Sequence, residues 1–201
     1  MIRVLLAEDQ DMVRGALAAL LSMEDDIEVV AEVDRGDQVV ARALETQPEI
    51  ALLDIEMPGM DGIAAAGALR RELPGCRVLM LTTFGRPGFL RRAMESGASG
   101  FLLKDAPAGE LAVAIRRTVA GERVVDPDLA TQALSEGVSP LSPRERDVLR
   151  SSVDGASVAI VAKRLFLSEG TVRNHLSAAI QKLDARNRTE AARLAEEKGW
   201  L

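Results

Sequence analysis

The chain has 201 residues, 47% of them apolar but only 2% aromatic, so its cores must be built from Leu, Val, Ile, Ala and Met. No apolar run approaches the roughly 18 residues of a membrane span, the N-terminal stretch meets Glu8-Asp9 too early for a secretory signal, and one Cys with one His excludes an internal disulfide and a Cys/His zinc set. The net charge of −6 is uneven, with 14 Lys/Arg against 23 Asp/Glu in residues 1–138 and 11 against 8 in residues 139–201, which predicts different partners for the two parts.

Residues 2–7 (Ile-Arg-Val-Leu-Leu-Ala) read as a buried strand ending at Glu8-Asp9. Residues 11–22 carry Met12, Ala16, Leu17, Leu20 and Leu21 at helical spacing. Residues 27–33 read as a second strand, 36–46 as a helix and 50–54 as a third strand. Met57-Pro-Gly-Met-Asp-Gly62 is a loop by its Pro and Gly content. A helix over 63–72, a strand over 77–82, a helix over 87–96, a short strand over 100–103 and a helix over 107–120 follow. Several strands are apolar throughout, and strands alternate with helices. That pattern predicts a five-stranded, doubly wound parallel sheet of flavodoxin-like type over residues 1–120.

Residues 121–140 form a linker, with a short helical stretch opened by Asp126-Pro-Asp and a linker-like Ser135-Glu-Gly-Val-Ser-Pro140. Residues 141–201 then read as all-helical. Ser142-Pro143-Arg-Glu145 combines an N-cap Ser, a Pro at the first helical position and a Glu at the third, the signature of a capping box. The predicted helices run over 143–153, 157–165, 169–183 and 188–197.

Glu8 and Asp9 follow the first strand and Asp54 ends the third. In a doubly wound sheet those strands are neighbours, and sites form beyond their carboxyl ends. Three converging carboxylates repel one another unless a cation sits between them, and a hard cation with oxygen ligands, Mg²⁺, fits. Thr82 and Lys104 end the fourth and fifth strands, so an ammonium and a hydroxyl face the same rim. The set suits a carboxylate nucleophile, Asp54, that takes up a phosphoryl group as an acyl phosphate. Acids follow the first strand where a nucleotide-binding fold has a Gly-rich phosphate loop.

Glu8-Asp9, Leu53-Asp54-Ile-Glu-Met-Pro-Gly-Met-Asp-Gly62, Thr82 and Lys104 together resemble the receiver domain of two-component response regulators. The resemblance implies that Glu8, Asp9 and Asp54 bind Mg²⁺ with the main-chain carbonyl of Glu56. It implies that a sensor histidine kinase phosphorylates Asp54, and that Thr82 and Phe101 are a switch pair. It also implies a non-enzyme whose only turnover is slow autodephosphorylation. Asp105 departs from the Pro that many receivers place directly after the lysine.

At about 100° per residue, Val172, Leu176, Ala179, Ile180 and Leu183 form one stripe of helix 169–183. Arg173, Asn174, Ser177 and Gln181 lie opposite, a face suited to base edges and phosphates in a major groove. The preceding helix ends in Lys163-Arg164-Leu165, a short Phe166-Leu-Ser168 turn leads to an N-cap Ser168, and Lys182, Arg186 and Arg188 add positive charge. Two helices joined by a tight turn, the second polar outside, form a helix-turn-helix pattern. Leu141-Ser-Pro-Arg-Glu-Arg-Asp-Val-Leu149 and Ala162–Leu176 resemble the LuxR/NarL-type effector domain. That resemblance makes 169–183 the recognition helix, with Arg173, Asn174 and Ser177 at base-contacting positions and Thr171 and Lys182 at backbone-contacting ones. Val158-Ala-Ile160 departs from the family, which has a polar residue and Glu there.

The expectation is a cytoplasmic transcription regulator, phosphorylated on Asp54, that forms homodimers and binds two-fold symmetric promoter DNA without any membrane role. Leu17, Leu111 and Ile115 are candidates for a dimer face or for plain core. Two other readings stay open: an aspartyl-nucleophile phosphatase using Glu56 as a general acid, and a regulator whose first domain binds a ligand without phosphorylation. His175 is expected to pack on a helix flank, Trp200 to close the last helix, and Cys76 to be inert.

Overall fold

A computed structural model describes residues 1–83, 87–126, 129–131 and 139–201. The chain divides into two compact units, one holding the sheet and one holding the C-terminal helices.

In the first unit the elements are β1 (Ile2–Ala7), α1 (Asp11–Leu21), β2 (Ile27–Val33), a 3₁₀ turn (Gly36–Gln38), α2 (Val39–Thr46), β3 (Ile50–Asp54), α3 (Gly62–Glu72), β4 (Arg77–Thr82), α4 (Pro87–Ser96), β5 (Gly100–Leu103), α5 (Ala108–Val119) and β6 (Val124–Val125). All strand pairs are parallel, in the order β2-β1-β3-β4-β5-β6. β3 is buried at all five positions, as helices on both faces require. The five expected strands are present, and a sixth two-residue strand, β6, extends the edge beside β5. Two valines are too short a run to show periodicity, so only pairing with Gly100 and Phe101 reveals them.

The register fixes the site. Ala7 pairs with Leu53, so Glu8 and Asp54 leave the sheet side by side. Asp54 pairs with Leu81 and Thr82 with Leu103, so Thr82 and Lys104 follow on the next two strands. The Lys104 N–H donates to the Thr82 carbonyl at 2.8 Å and ties those two ends together.

The loop after β3 depends on two glycines. Gly59 has φ +79°, a conformation that side chains resist. At Gly62 a Cβ would lie 1.9 Å from the Asp54 carbonyl oxygen, so only glycine lets α3 start against the strand that carries Asp54. Asp61 caps that helix, its carboxylate accepting the Ala64 N–H at 2.6 Å.

The second unit contains α6 (Pro143–Arg150), α7 (Val158–Leu165), α8 (Glu169–Lys182) and α9 (Arg188–Glu197). The capping box is present: the Glu145 N–H donates to Ser142 Oγ and the Ser142 N–H donates to Glu145 Oε2. Ser157, Ser168 and Asn187 cap α7, α8 and α9 by a single side-chain bond, accepting the N–H of Ile160, Thr171 and Glu190 respectively. The first of these helices ends at Arg150, three residues before the expected end, because the chain turns through 151–154 to Gly155 at φ +79°. Val172, Leu176 and Ala179 of α8 are buried with Val148, Leu149, Val161, Ala191, Ala195 and Trp200, and Ile180 and Leu183 pack half-buried against them.

Beyond β6, Asp126 caps a helical turn: its carboxylate accepts the Leu129 N–H and its carbonyl the Ala130 N–H, both at 2.9 Å. The rest of the expected linker helix and most of Ser135–Pro140 lie outside the described residues.

Gly62→Ala is expected to destabilise the first unit by about 1–3 kcal/mol, since the new methyl must displace backbone. Urea unfolding of the full chain, compared with the open-space control Gly15→Ala, measures this.

Candidate functional site

Glu8 is fully buried, Asp54 is 5% exposed, and Asp9 is exposed at the mouth. One carboxylate oxygen from each lies within 4.8 Å of the others. Lys104 Nζ reaches Glu8 Oε2 at 2.6 Å and Asp54 Oδ1 at 3.0 Å. Asp54 Oδ1 also accepts the Ile55 N–H at 2.8 Å. A cavity of about 100 Å³ opens here, lined by Asp9, Gln10, Asp54, Glu56, Thr82 and Thr83. The site residues expected on four strand ends thus come together, and Thr82 is 3% exposed. Phe101 sits fully buried on β5, outside the cavity lining.

One ammonium serves two buried carboxylates, and a third stands beside them. Burial lifts the Asp54 pKa above the usual carboxylate value, Lys104 opposes that, and Glu8 adds to it. Burial works against the charge on Lys104, but Glu8 and Asp54 together outweigh it and hold its pKa above the ordinary lysine value. Glu8 Oε2 and Lys104 Nζ are close, yet neither makes a hydrogen bond of proper geometry. An under-satisfied buried carboxylate oxygen in an all-oxygen cluster of Glu8, Asp9 and Asp54 fits a divalent cation.

Sequence reasoning passed over three residues here. Gln10 and Thr83 line the cavity, and each is one position beyond a strand-end residue already singled out. Arg14 donates to the Glu8 carbonyl at 2.7 Å and pairs with Asp11, so it braces the loop that carries Glu8 and Asp9. Cys76 is buried, which pushes its thiol up to about 12 and leaves it unreactive.

On the second unit, Arg173, Asn174 and Ser177 of α8 are exposed, as are Lys163 and Arg164 of α7, and Thr171 is half-buried. Arg173 pairs with Glu169 at 2.8 Å, and Arg164 pairs with Asp154 at 2.8 Å. Lys182 donates to both oxygens of the buried Glu145, at 3.0 and 2.8 Å, and so ties the end of α8 to the start of α6. Arg188 donates to the carbonyls of Ala156 and Gly155. His175 is half-buried on the helix flank, and Trp200 lies in the core. Among the described residues no helix is long and apolar enough to cross a membrane.

Two family models match the chain: the response regulator receiver domain over residues 4–116 and the luxR family of bacterial regulatory proteins over residues 139–195. The chain is 44% identical to the transcriptional regulatory protein DesR of Bacillus subtilis, with 100% of each covered. It is 37% identical to the response regulator RamR of Streptomyces coelicolor, covering 100% of this chain and 98% of that one. The crystal structure of the response regulator ChrA, from a heme-sensing two-component system, is 37% identical and superposes with a TM-score of 0.59 over 100% of this chain and 98% of that one. The chain belongs to the two-component response regulators that join a receiver domain to a luxR-type DNA-binding domain, and it is a transcription regulator.

Glu145 supplies a pH signature for the second unit. Burial raises its pKa, but Lys182 and the Ser142 N–H outweigh that and hold it below its ordinary value of 4.5. A carboxylate depressed in the folded state stabilises above its unfolded pKa and loses that contribution as pH falls through the folded value. Thermal unfolding followed by the fluorescence of Trp200, the only Trp, should therefore lose stability below about pH 4.5 more steeply in the wild type than in Glu145→Gln. Lys182→Met, which strands a buried carboxylate, should lower Tm at neutral pH by about 4 °C or more.

Proposed function

We propose that this chain is a phosphorylation-controlled regulator in which a sensor histidine kinase donates a phosphoryl group to Asp54. The observation that carries the reading is Asp54 at 5% exposure, sharing Lys104 with the fully buried Glu8 at the floor of an open acidic cavity. Both short contacts of Asp54 fall on Oδ1, which leaves Oδ2 as the nucleophilic oxygen. Oδ2 attacks phosphorus, the bond from phosphorus to the donor nitrogen breaks, and the nitrogen leaves with the electron pair and takes up a proton.

Glu8, Asp9, Asp54 and the Glu56 carbonyl hold Mg²⁺, which when bound offsets the charge on the phosphoryl oxygens. Lys104 pairs with one phosphoryl oxygen and the Thr82 hydroxyl donates to another. The new charge draws Thr82 inward, and Phe101 reorients with it. The group is then lost by slow hydrolysis.

The domains divide as 1–120, 121–140 and 141–201. Phosphorylation promotes a homodimer, whose paired α8 helices meet two half-sites of promoter DNA. Arg173, Asn174 and Ser177 read base edges, Thr171, Lys163 and Arg164 supply phosphate contacts, and Lys182 and Arg188 add positive field. The absence of long apolar helices among the described residues supports a cytoplasmic site of action.

Genome-wide DNA capture comparing wild type with Asp54→Ala tests the switch. Occupancy of promoter sites under inducing conditions should fall in the variant, and identical occupancy would sink the phosphorylation control while leaving DNA binding in place. In vitro, Mg²⁺ with beryllofluoride should shift the wild type toward dimer and leave Asp54→Ala unchanged, as read by analytical ultracentrifugation.

A further inference from the structure

The turn between α7 and α8 contains a residue that folding does not explain. Phe166 is the C-cap of α7 and sits in the left-handed region, with φ +55° and ψ +44°. A turn of this kind often uses glycine, because a side chain there costs roughly 1–2 kcal/mol. Phe166 is also 96% exposed, the most exposed large apolar side chain among the described residues. Its ring therefore takes on backbone strain and solvent exposure and returns no core contact. Neighbouring Leu165 and Leu167 do pack against the core, so the turn has its anchors without Phe166.

The surroundings of the ring identify its occupant. Lys163 and Arg164 precede it and are exposed. Ser168, the N-cap of α8, follows two residues later, and the exposed Arg173 and Asn174 lie further along the same helix. The ring is thus continuous in sequence with the basic and polar segment assigned to DNA. Exposed cations beside an apolar ring match a duplex, which offers phosphates next to apolar deoxyribose carbons and thymine methyl groups.

We propose that Phe166 contacts DNA, packing its ring against the apolar edge of the duplex, a thymine methyl or a deoxyribose, beside the groove that α8 enters. This rests on the assignment of α8 as the recognition helix. The contact contributes affinity without charge, so it differs in kind from those of Lys163, Arg164 and Arg173. It also makes the turn a place where stability is given up for binding.

The test uses the full-length protein and the duplexes that the wild type selects from a random-sequence library. Phe166→Gly and Phe166→Asn both suit the left-handed backbone. Each should weaken binding of the selected duplexes by about tenfold, the scale expected for losing partial burial of one aromatic ring. Tm should be unchanged or higher. The slope of log Kd against log salt should be unchanged, because no phosphate contact is removed, whereas Lys163→Ala should reduce it. An unchanged Kd in both variants overturns the contact, as does weaker binding accompanied by a lower Tm or a smaller salt slope. Reduced promoter output with unchanged Kd overturns it in favour of a protein partner. If the wild type selects no duplex, the DNA reading falls and the Phe166 contact with it; if the wild type selects and the variants match it, the contact alone falls.

Discussion

One lysine shared between two buried carboxylates is the constraint on which the first unit turns. Glu8 and Asp54 are both removed from water, and Lys104 Nζ stands 2.6 Å from one and 3.0 Å from the other. A single ammonium cannot offset both charges together with that of Asp9, so the pocket carries an unmet demand for positive charge. The parallel sheet is what keeps that demand in place. Pairing of Ala7 with Leu53 and of Thr82 with Leu103 puts Glu8, Asp54 and Lys104 each one residue past a paired rung. The groups cannot move apart to relieve repulsion without breaking those rungs. A cation in the pocket would relieve that charge, which suits the proposed uptake of Mg²⁺ and a phosphoryl group.

That logic also explains how much of this site could be read before any coordinates. Strand ends are legible because an apolar run stops abruptly at a charge, as at Ala7-Glu8 and Leu103-Lys104. Topology then does the rest, since neighbouring parallel strands bring their carboxyl ends to one rim. Gln10 and Thr83 escaped notice because nothing in their residue type marks them, and only the cavity shape brings them in. Arg14 escaped because its partner is a main-chain carbonyl, which leaves no pattern in the sequence. β6 escaped for a related reason: two valines gain their strand conformation from β5, not from themselves.

The second unit shows the same division. Caps were legible at Ser142 and Ser168, because a cap needs only a local side chain and the next turn of backbone. The inward stripe of α8 was legible from periodicity, and Val172, Leu176 and Ala179 are buried as it required. The left-handed conformation at Phe166 was not legible, since nothing about phenylalanine favours it.

The cations on and around the polar face of α8 differ in their partners. Arg173 with Glu169 and Arg164 with Asp154 are exposed pairs, the kind whose net contribution is roughly 0–1 kcal/mol and falls further with salt. Exchanging such a carboxylate for an acceptor on DNA would cost little, which suits both arginines to the contacts proposed for them. Lys182 is held differently. Glu145 is buried, is part of the capping box of α6, and receives both of its close ammonium contacts from Lys182. Removing that ammonium would strand a buried carboxylate, a far larger penalty than any single surface phosphate contact returns. Arg188, bound to two main-chain carbonyls, is anchored too. These two cations hold the helices in place, so in the proposed complex with DNA they add positive field and keep their hydrogen bonds within the protein.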